Sequence, residues 1–207
     1  MKYNMTAKVF NLVFSKYLTS YYKKNYPNIY IKDILKDIQA EYKAMVKRTP
    51  DIGGNRLESN LIGSCWFFSL AKLMPNMTPT LLNTISDSFL ISPLHMKMEK
   101  SGRRKGKLFS KKEMDAWEQD SIRSQTSPYE FDWKYTFKRG EDEFFYNYTK
   151  CGVCLLAKKE GMEEYLPCMC HMDYKKFESK GGKLYREHTL ADGSDHCDFH
   201  VVRIKED

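Results

Sequence analysis

The sequence predicts an α+β protein, with a helical N-terminal half packed on an antiparallel sheet of about four strands formed by two C-terminal hairpins. Two periodicities support this fold class. Apolar residues recur at spacings of three and four in the first part of the chain, and they alternate with polar residues after residue 130. The 207 residues are 42% hydrophobic, which suffices for one core, so we expect a single domain over residues 1–207.

Two helices are expected in the N-terminal section, residues 1–50. The chain from Asn4 to Lys24 is rich in Leu, Val, Phe and Tyr and has no turn residue, which is typical of a helix that ends before Pro27. From Ile31 to Val46 apolar residues lie three and four apart, which predicts an amphipathic helix that stops before Pro50.

The central section, residues 51–125, should hold three more helices. After the Gly53–Gly54 break, residues Leu57–Leu73 are apolar nearly all round, so this helix should lie at the centre of the fold. Thr78 before Pro79 is typical of a helix start. Ser110 with Glu113 forms a capping box that should open a short helix.

The net charge of +7 raises the question of a nucleic-acid partner. Basic residues concentrate in one glycine-containing stretch without interleaved aromatic residues, which favours a solvated loop over a phosphate-binding surface: Lys97, Lys100, Arg103, Arg104, Lys105, Lys107, Lys111 and Lys112. We therefore expect no nucleic-acid partner.

The N-terminal residues do not predict a signal peptide or a membrane span. The apolar run from Val9 to Phe14 is short and is flanked by Lys8 and Lys16. We expect a cytoplasmic protein without a membrane partner, in which the six cysteines stay reduced.

The last section, residues 126–207, should form the sheet and hold the site. One hairpin is predicted over Phe131–Thr149. A helix in two pieces, broken near Gly161, should follow from Cys151 to Phe177. A second hairpin should have strands at Lys183–Leu190 and His196–Ile204.

Five of the six cysteines and four of the five histidines lie in this last section, which makes a metal site one interpretation. Cys168 and Cys170 would point apart on a helix, however, so we expect no structural zinc and no cofactor. His196, Asp198 and His200 would share one strand face, where a metal ion and a plain solvated surface are alternatives.

A nucleophilic cysteine is the other interpretation. On a helix Cys170 and Asp173 would share a face, and a carboxylate beside a thiol suits catalysis. The alternative is that Cys170 is a buried packing thiol. Arg186 should share a strand face with Leu184 and His188, where it would either bind an anionic ligand or pair with Asp173 or Asp198.

Three blocks of the sequence resemble the L-2-amino-thiazoline-4-carboxylic acid hydrolase family. The similarity covers roughly residues 40–202. It rests on Pro50–Asn55 leading into Asn60–Leu61, on Asn147–Cys151 followed by Cys168–Tyr174, and on Arg186–Gly193 followed by Cys197–Phe199. The resemblance implies hydrolytic opening of a cyclic amidine, the thiazoline ring, on a route to cysteine.

The resemblance also implies a set of site residues: Cys170, Asp173 and Cys197 as catalytic residues, and Arg186, Asn147, Cys151, Thr189 and Asp198 as substrate-binding residues. It leaves Cys65, Cys154 and Cys168 as packing thiols. We expect Cys170, Asp173, Arg186 and Cys197 to converge on one pocket, with Cys151 and Asn147 at its wall.

Two functions are therefore open. One is a cysteine-dependent hydrolase of a small cyclic amidine, whose partner is a small-molecule substrate. The other is a non-catalytic small-molecule binding or sensory module. Assembly into a homo-oligomer is left open by the sequence.

Overall fold

The computed structural model describes residues 1–96 and 107–205. In the first 90 residues four helices build the N-terminal half: α1 (Met5–Asn25), α2 (Ile31–Arg48), α3 (Glu58–Leu73) and α4 (Pro79–Leu90). Both α1 and α2 pack on α3, whose residues from Leu61 to Ala71 are all buried. The predicted central position of this helix is confirmed.

Helix starts follow the predicted capping residues. The Thr78 hydroxyl accepts a hydrogen bond from the Leu81 amide at 3.2 Å, and the Ser110 hydroxyl accepts one from the Glu113 amide at 3.3 Å. The second cap opens α5 (Lys111–Gln125), which is longer than the short helix predicted. It is longer because its last turns pack on the first strand, where the buried Ser124 hydroxyl donates to the Tyr135 carbonyl at 3.1 Å.

The basic stretch of Lys97, Lys100, Arg103, Arg104 and Lys105, predicted as a loop, lies outside the described residues. Among the described helices, none combines the length and apolar character that a membrane crossing requires.

The second half forms one four-stranded antiparallel sheet, as predicted. Its strands are β1 (Lys134–Arg139), β2 (Glu143–Lys150), β3 (Gly182–Tyr185) and β4 (Cys197–Arg203), in the spatial order β1-β2-β4-β3. Alternate residues of β2 and β4 face the helices and are buried, whereas the side chains between them point to an open face. The sheet therefore has one face covered by helices and one face exposed to solvent.

Two helices connect the hairpins: α6 (Gly152–Glu160) and α7 (Leu166–Glu178). Gly161 ends α6 in the left-handed conformation, with φ of 67°, which confirms the predicted break. Helix α7 packs against α4 on one side and β3 on the other, and α6 packs against α3. These two helices join the helical half to the sheet.

The predicted strand Lys183–Leu190 is wrong in its second half, because β3 ends at Tyr185. The backbone amides of Glu187 and His188 bond to the Asp198 carboxylate instead of continuing the ladder, at 3.1 and 2.6 Å. We call residues 186–196 the β3–β4 loop. His188 is consequently exposed in this loop and does not share a strand face with Arg186.

The start of α6 lies unusually close to the segment before β1. A Cβ atom added to Gly152 would lie 2.2 Å from the Phe131 carbonyl oxygen and 3.0 Å from the Trp133 ring. No side chain fits there without moving backbone, so only glycine permits this contact.

We predict that Gly152→Ala lowers the free energy of unfolding by about 1–3 kcal/mol or more, because the added methyl group meets a backbone carbonyl. Gly140→Ala is the matched control, since its added methyl group would meet the Glu143 side chain and would come no closer than 3.5 Å, an ordinary contact distance, to the Glu143 backbone carbonyl. Urea denaturation midpoints measure both changes. Equal midpoints for the two variants would contradict the close contact.

Candidate functional site

Four thiols gather where α6, α7 and β4 meet. Cys151 is the N-cap of α6, Cys154 lies in its first turn, Cys170 lies on α7, and Cys197 is the first residue of β4. Their thiol groups are close enough to raise one another's pKa electrostatically. We refer to these four residues as the thiol cluster. Cys151, Cys154 and Cys170 are half-buried and Cys197 is buried.

The Arg186 guanidinium forms one wall of the thiol cluster. Its side chain is only 3% exposed, and it donates to the Asp173 carboxylate at 3.2 Å and to the Cys170 carbonyl at 2.9 Å. It stacks between the rings of Tyr174 and Phe199, with its central carbon 5.0 and 4.7 Å from the ring centres. The sequence left two alternatives open for Arg186, an anionic ligand or an internal carboxylate. In the structure Arg186 pairs with an internal carboxylate, that of Asp173.

Asp173 is more accessible than the arginine that it pairs with. Its side chain is 27% exposed, and its second oxygen, Oδ1, makes only a long contact of 3.8 Å with Lys176. One carboxylate oxygen therefore fixes Arg186, and the other remains available to a cationic group that approaches from solvent.

Cys151 differs from its neighbours in ionisation. The Cys154 thiol lies within hydrogen-bonding reach of the Cys151 sulfur and lowers its pKa. The backbone N–H groups of Cys154 and Val153, at the start of α6, lower this pKa further and together outweigh the opposing effect of burial. Cys151 is thus the thiol of the cluster that most readily becomes a thiolate.

The other thiols of the cluster stay protonated. Burial, together with the neighbouring Asp173 carboxylate, raises the pKa of Cys170 to about 12. Burial raises the pKa of Cys197 to about 11, although the Leu190 amide donates to its sulfur at 3.2 Å. The interaction with Cys151 raises the pKa of Cys154, because Cys154 is the donor of the pair.

Two members of this site were not anticipated from the sequence. Cys154 was expected only to pack, yet its spacing of three from Cys151 at a helix start is a usable signal for contact between the two thiols. Tyr148 lies on the covered face of β2, where its hydroxyl interacts with Asp173 and Cys151. Burial raises its pKa well above the ordinary value, so it remains a phenol.

Three of the expected substrate-binding residues lie elsewhere. Asn147 and Asp198 are paired neighbours on β2 and β4 and point to the open face of the sheet, away from the thiol cluster. Asp198 holds the backbone of the β3–β4 loop. Thr189 bonds within that loop, where its hydroxyl accepts from the Asp192 amide at 3.1 Å.

The remaining cysteines are remote from the cluster. Cys65 is fully buried against Thr49, and the Cys168 sulfur donates to the Pro79 carbonyl at 3.4 Å. Cys168 and Cys170 therefore have different neighbours, as expected for residues that point apart on a helix.

Two surface grooves contain none of the four thiols, although Arg186, which forms a wall of the thiol cluster, also lines the second groove. One, of about 610 Å³, runs between α1 and α2 and is lined by residues such as Asn11, Ser15 and Gln39. The other crosses the open face of the sheet past Asn147 and His200. Since neither groove contains a cysteine, they offer no thiol chemistry.

The protein has an α+β fold that brings half-buried thiols next to a carboxylate–guanidinium pair. Residues 38–201 match the L-2-amino-thiazoline-4-carboxylic acid hydrolase family, and this match spans well over half of the chain. The chain belongs to that family, which is a family of hydrolases. Comparison with curated proteins and with solved structures gives no match for this chain.

We predict that Cys151 is the first cysteine of the cluster to react with iodoacetamide. Because its pKa is lowered, its alkylation rate should reach half its maximum at a lower pH than that of any other cysteine of the cluster. Cys170 and Cys197 should react appreciably only at higher pH, since their pKa values are raised.

Peptide mapping by mass spectrometry over a series of pH values measures this order. Cys154→Ala removes a hydrogen-bond donor to Cys151 and should move its half-maximal pH upward, whereas Cys168→Ala, outside the cluster, should not. Earlier labelling of Cys170 than of Cys151 would contradict the assignment.

Proposed function

We propose that this protein hydrolyses a small cyclic amidine of the thiazoline type, with an amino-acid-like substituent, and that Cys151 is its nucleophile. The family supports a hydrolase acting on a thiazoline carboxylic acid. The sequence favoured Cys170 as the nucleophile. We assign this role to Cys151 because of its place in the fold.

The observation that carries this proposal is the position of Cys151 at the N-terminus of α6. There the Cys154 thiol and, to a smaller extent, the amides of Cys154 and Val153 lower the pKa of its sulfur, although the sulfur makes no capping hydrogen bond to the helix. Donors directed at a sulfur stabilise the thiolate, which is the reactive form. Cys170 lacks such donors and lies beside the Asp173 carboxylate, which opposes its ionisation.

The proposed chemistry has two steps. The thiolate adds to the amidine carbon, and the ring C–N bond breaks as its electron pair passes to the ring nitrogen, which takes up a proton. Water then adds to the enzyme-bound carbon and expels the Cys151 thiolate. The net change is the addition of one water molecule across the C–N bond.

Asp173 and Arg186 supply charge complementarity in this scheme. A protonated amidine is a cation, and the free oxygen of Asp173 is placed to bind it. Arg186 holds Asp173 in position. A substrate carboxylate can compete with Asp173 for the guanidinium fork, which is the substrate-binding role expected from the resemblance.

The protonated groups around Cys151 are suitable proton donors to the leaving nitrogen. Cys170 and Cys197 stay neutral thiols at neutral pH, and Tyr148 stays a neutral phenol. General-acid assistance of this kind contributes about 10²–10⁴-fold to a rate. Each of these three groups interacts electrostatically with both Cys151 and Asp173.

We predict that Cys151→Ser lowers kcat for 2-aminothiazoline-4-carboxylic acid by about 10³-fold or more, because serine lacks a stabilised anion at neutral pH. Tyr148→Phe should lower kcat by about 10²-fold if its hydroxyl donates a proton. Substrate loss and product formation are followed by liquid chromatography with mass spectrometry.

Cys168→Ser is the matched control. This residue is a buried thiol near Cys170 on α7, and a serine hydroxyl can keep its hydrogen bond to the Pro79 carbonyl. Full activity of Cys151→Ser would refute the nucleophile assignment. Saturable binding of the substrate without turnover by the unmodified protein would instead favour the binding-module alternative.

A further inference from the structure

The β3–β4 loop and the start of β4 bring together three potential metal ligands outside the thiol cluster. One ring nitrogen of His188, one of His196 and one carboxylate oxygen of Asp198 lie within 4.8 Å of one another. Ions such as zinc bind nitrogen and oxygen at about 2.0–2.2 Å, so in tetrahedral geometry their donor atoms end up about 3.3–3.6 Å apart. The three side chains are all at least partly exposed, so small rotations would bring their donor atoms to the separations that a bound ion requires.

One of the two imidazole rings, that of His196, is already oriented by a carboxylate outside the three candidate ligands. The planes of the two rings are stacked at 26°, with centres 5.3 Å apart. His196 Nδ1 bonds to the Asp195 carboxylate at 2.5 Å, and His188 Nδ1 bonds to Asp198 at 3.2 Å. Metal-binding histidines commonly use one nitrogen for the ion and the other for a carboxylate. Asp195 is thus placed to orient His196.

The local charge also favours a cation. Residues 187–198 contain four carboxylates and no lysine or arginine, although the whole chain carries a net charge of +7. Asp192 hydrogen-bonds to the loop hydroxyls and amides at Thr189 and Ser194, so it shapes the loop. Asp195 and Asp198 remain beside the histidines.

We propose that His188, His196 and Asp198 bind a divalent transition-metal ion of the zinc type, with Asp195 orienting His196. Two imidazoles and one carboxylate suit zinc and its neighbours better than magnesium or calcium, which prefer all-oxygen sites. The site differs from the predicted face of His196, Asp198 and His200, because His200 bonds to Glu143 at 2.8 Å. It is also distinct from any zinc site in the cysteines.

A bound ion would connect both ends of the β3–β4 loop. The loop begins at Arg186, which pairs with Asp173, and its Leu190 amide donates to the Cys197 sulfur. His188 lies near the start of the loop and His196 at its end. Metal binding would therefore hold the loop against the thiol cluster, which gives the site a structural effect on the candidate active site.

The test is titration of the metal-stripped full-length protein with Co²⁺, followed by its visible absorption, and with Zn²⁺, followed by calorimetry. We expect one equivalent of each ion to bind. His188→Ala and His196→Ala should each weaken Co²⁺ binding at least tenfold, and Asp195→Asn should weaken it about tenfold. These binding measurements do not depend on turnover, so their outcome is independent of the outcome of the test for hydrolase activity.

His200→Ala is the matched control, because His200 lies on β4, as Asp198 does, but is not one of the three proposed ligands. The His200→Ala variant should bind Co²⁺ as the unmodified protein does. His188→Gln and His196→Gln repeat the test with bulkier side chains, and thermal melting without metal verifies folding. Unchanged binding by the histidine variants would overturn the proposal. A strong thiolate-to-cobalt charge-transfer band that disappears in Cys151→Ser would also overturn it, since the ion would then occupy the thiol cluster.

Discussion

The close contact between Gly152 and the Phe131 carbonyl determines where the Cys151 thiol lies, because it sets the position of the first turn of α6. The residue after Phe131 makes this contact rigid. Asp132 is fully buried, and its carboxylate accepts hydrogen bonds from Asn55 and Arg123, each at 2.7 Å. A buried charge with such partners resists displacement. The segment that contains the two glycines and ends at Asn55 therefore helps to hold the site in position, but none of its residues belongs to the thiol cluster.

Burial and donor placement together decide which thiol of the cluster ionises. All four cysteines lie in surroundings that disfavour a negative charge, which raises the pKa of Cys170 and Cys197. Only Cys151 has donors that compensate, and it owes them to its position at a helix start. The fold thus distinguishes chemically identical side chains by the backbone around them. The same surroundings keep Tyr148 and Cys154 protonated, so both remain proton donors near the Cys151 thiolate.

Local periodicity predicted the helices, the hairpins and their union in one sheet, because each depends on short-range patterns of apolar residues. It failed at Tyr185, where β3 ends, since the competing hydrogen bonds come from the Asp198 side chain on another strand. Most of the thiol cluster was predictable from the cysteine-rich blocks. The role of Cys154 and the order of ionisation were not, because both depend on burial and on distances between elements that the sequence does not encode locally.

Mutual repulsion within the thiol cluster has a consequence for selectivity. Interactions among the thiols raise the pKa of Cys154, Cys170 and Cys197, and Asp173 also raises that of Cys170, so the cluster takes up a second negative charge only with difficulty once Cys151 is ionised. The ionised cluster then repels anionic electrophiles and attracts cationic ones. A protonated amidine that binds there neutralises part of this negative charge. The enzyme can therefore discriminate between electrophiles of similar shape by the charge at the reacting carbon alone.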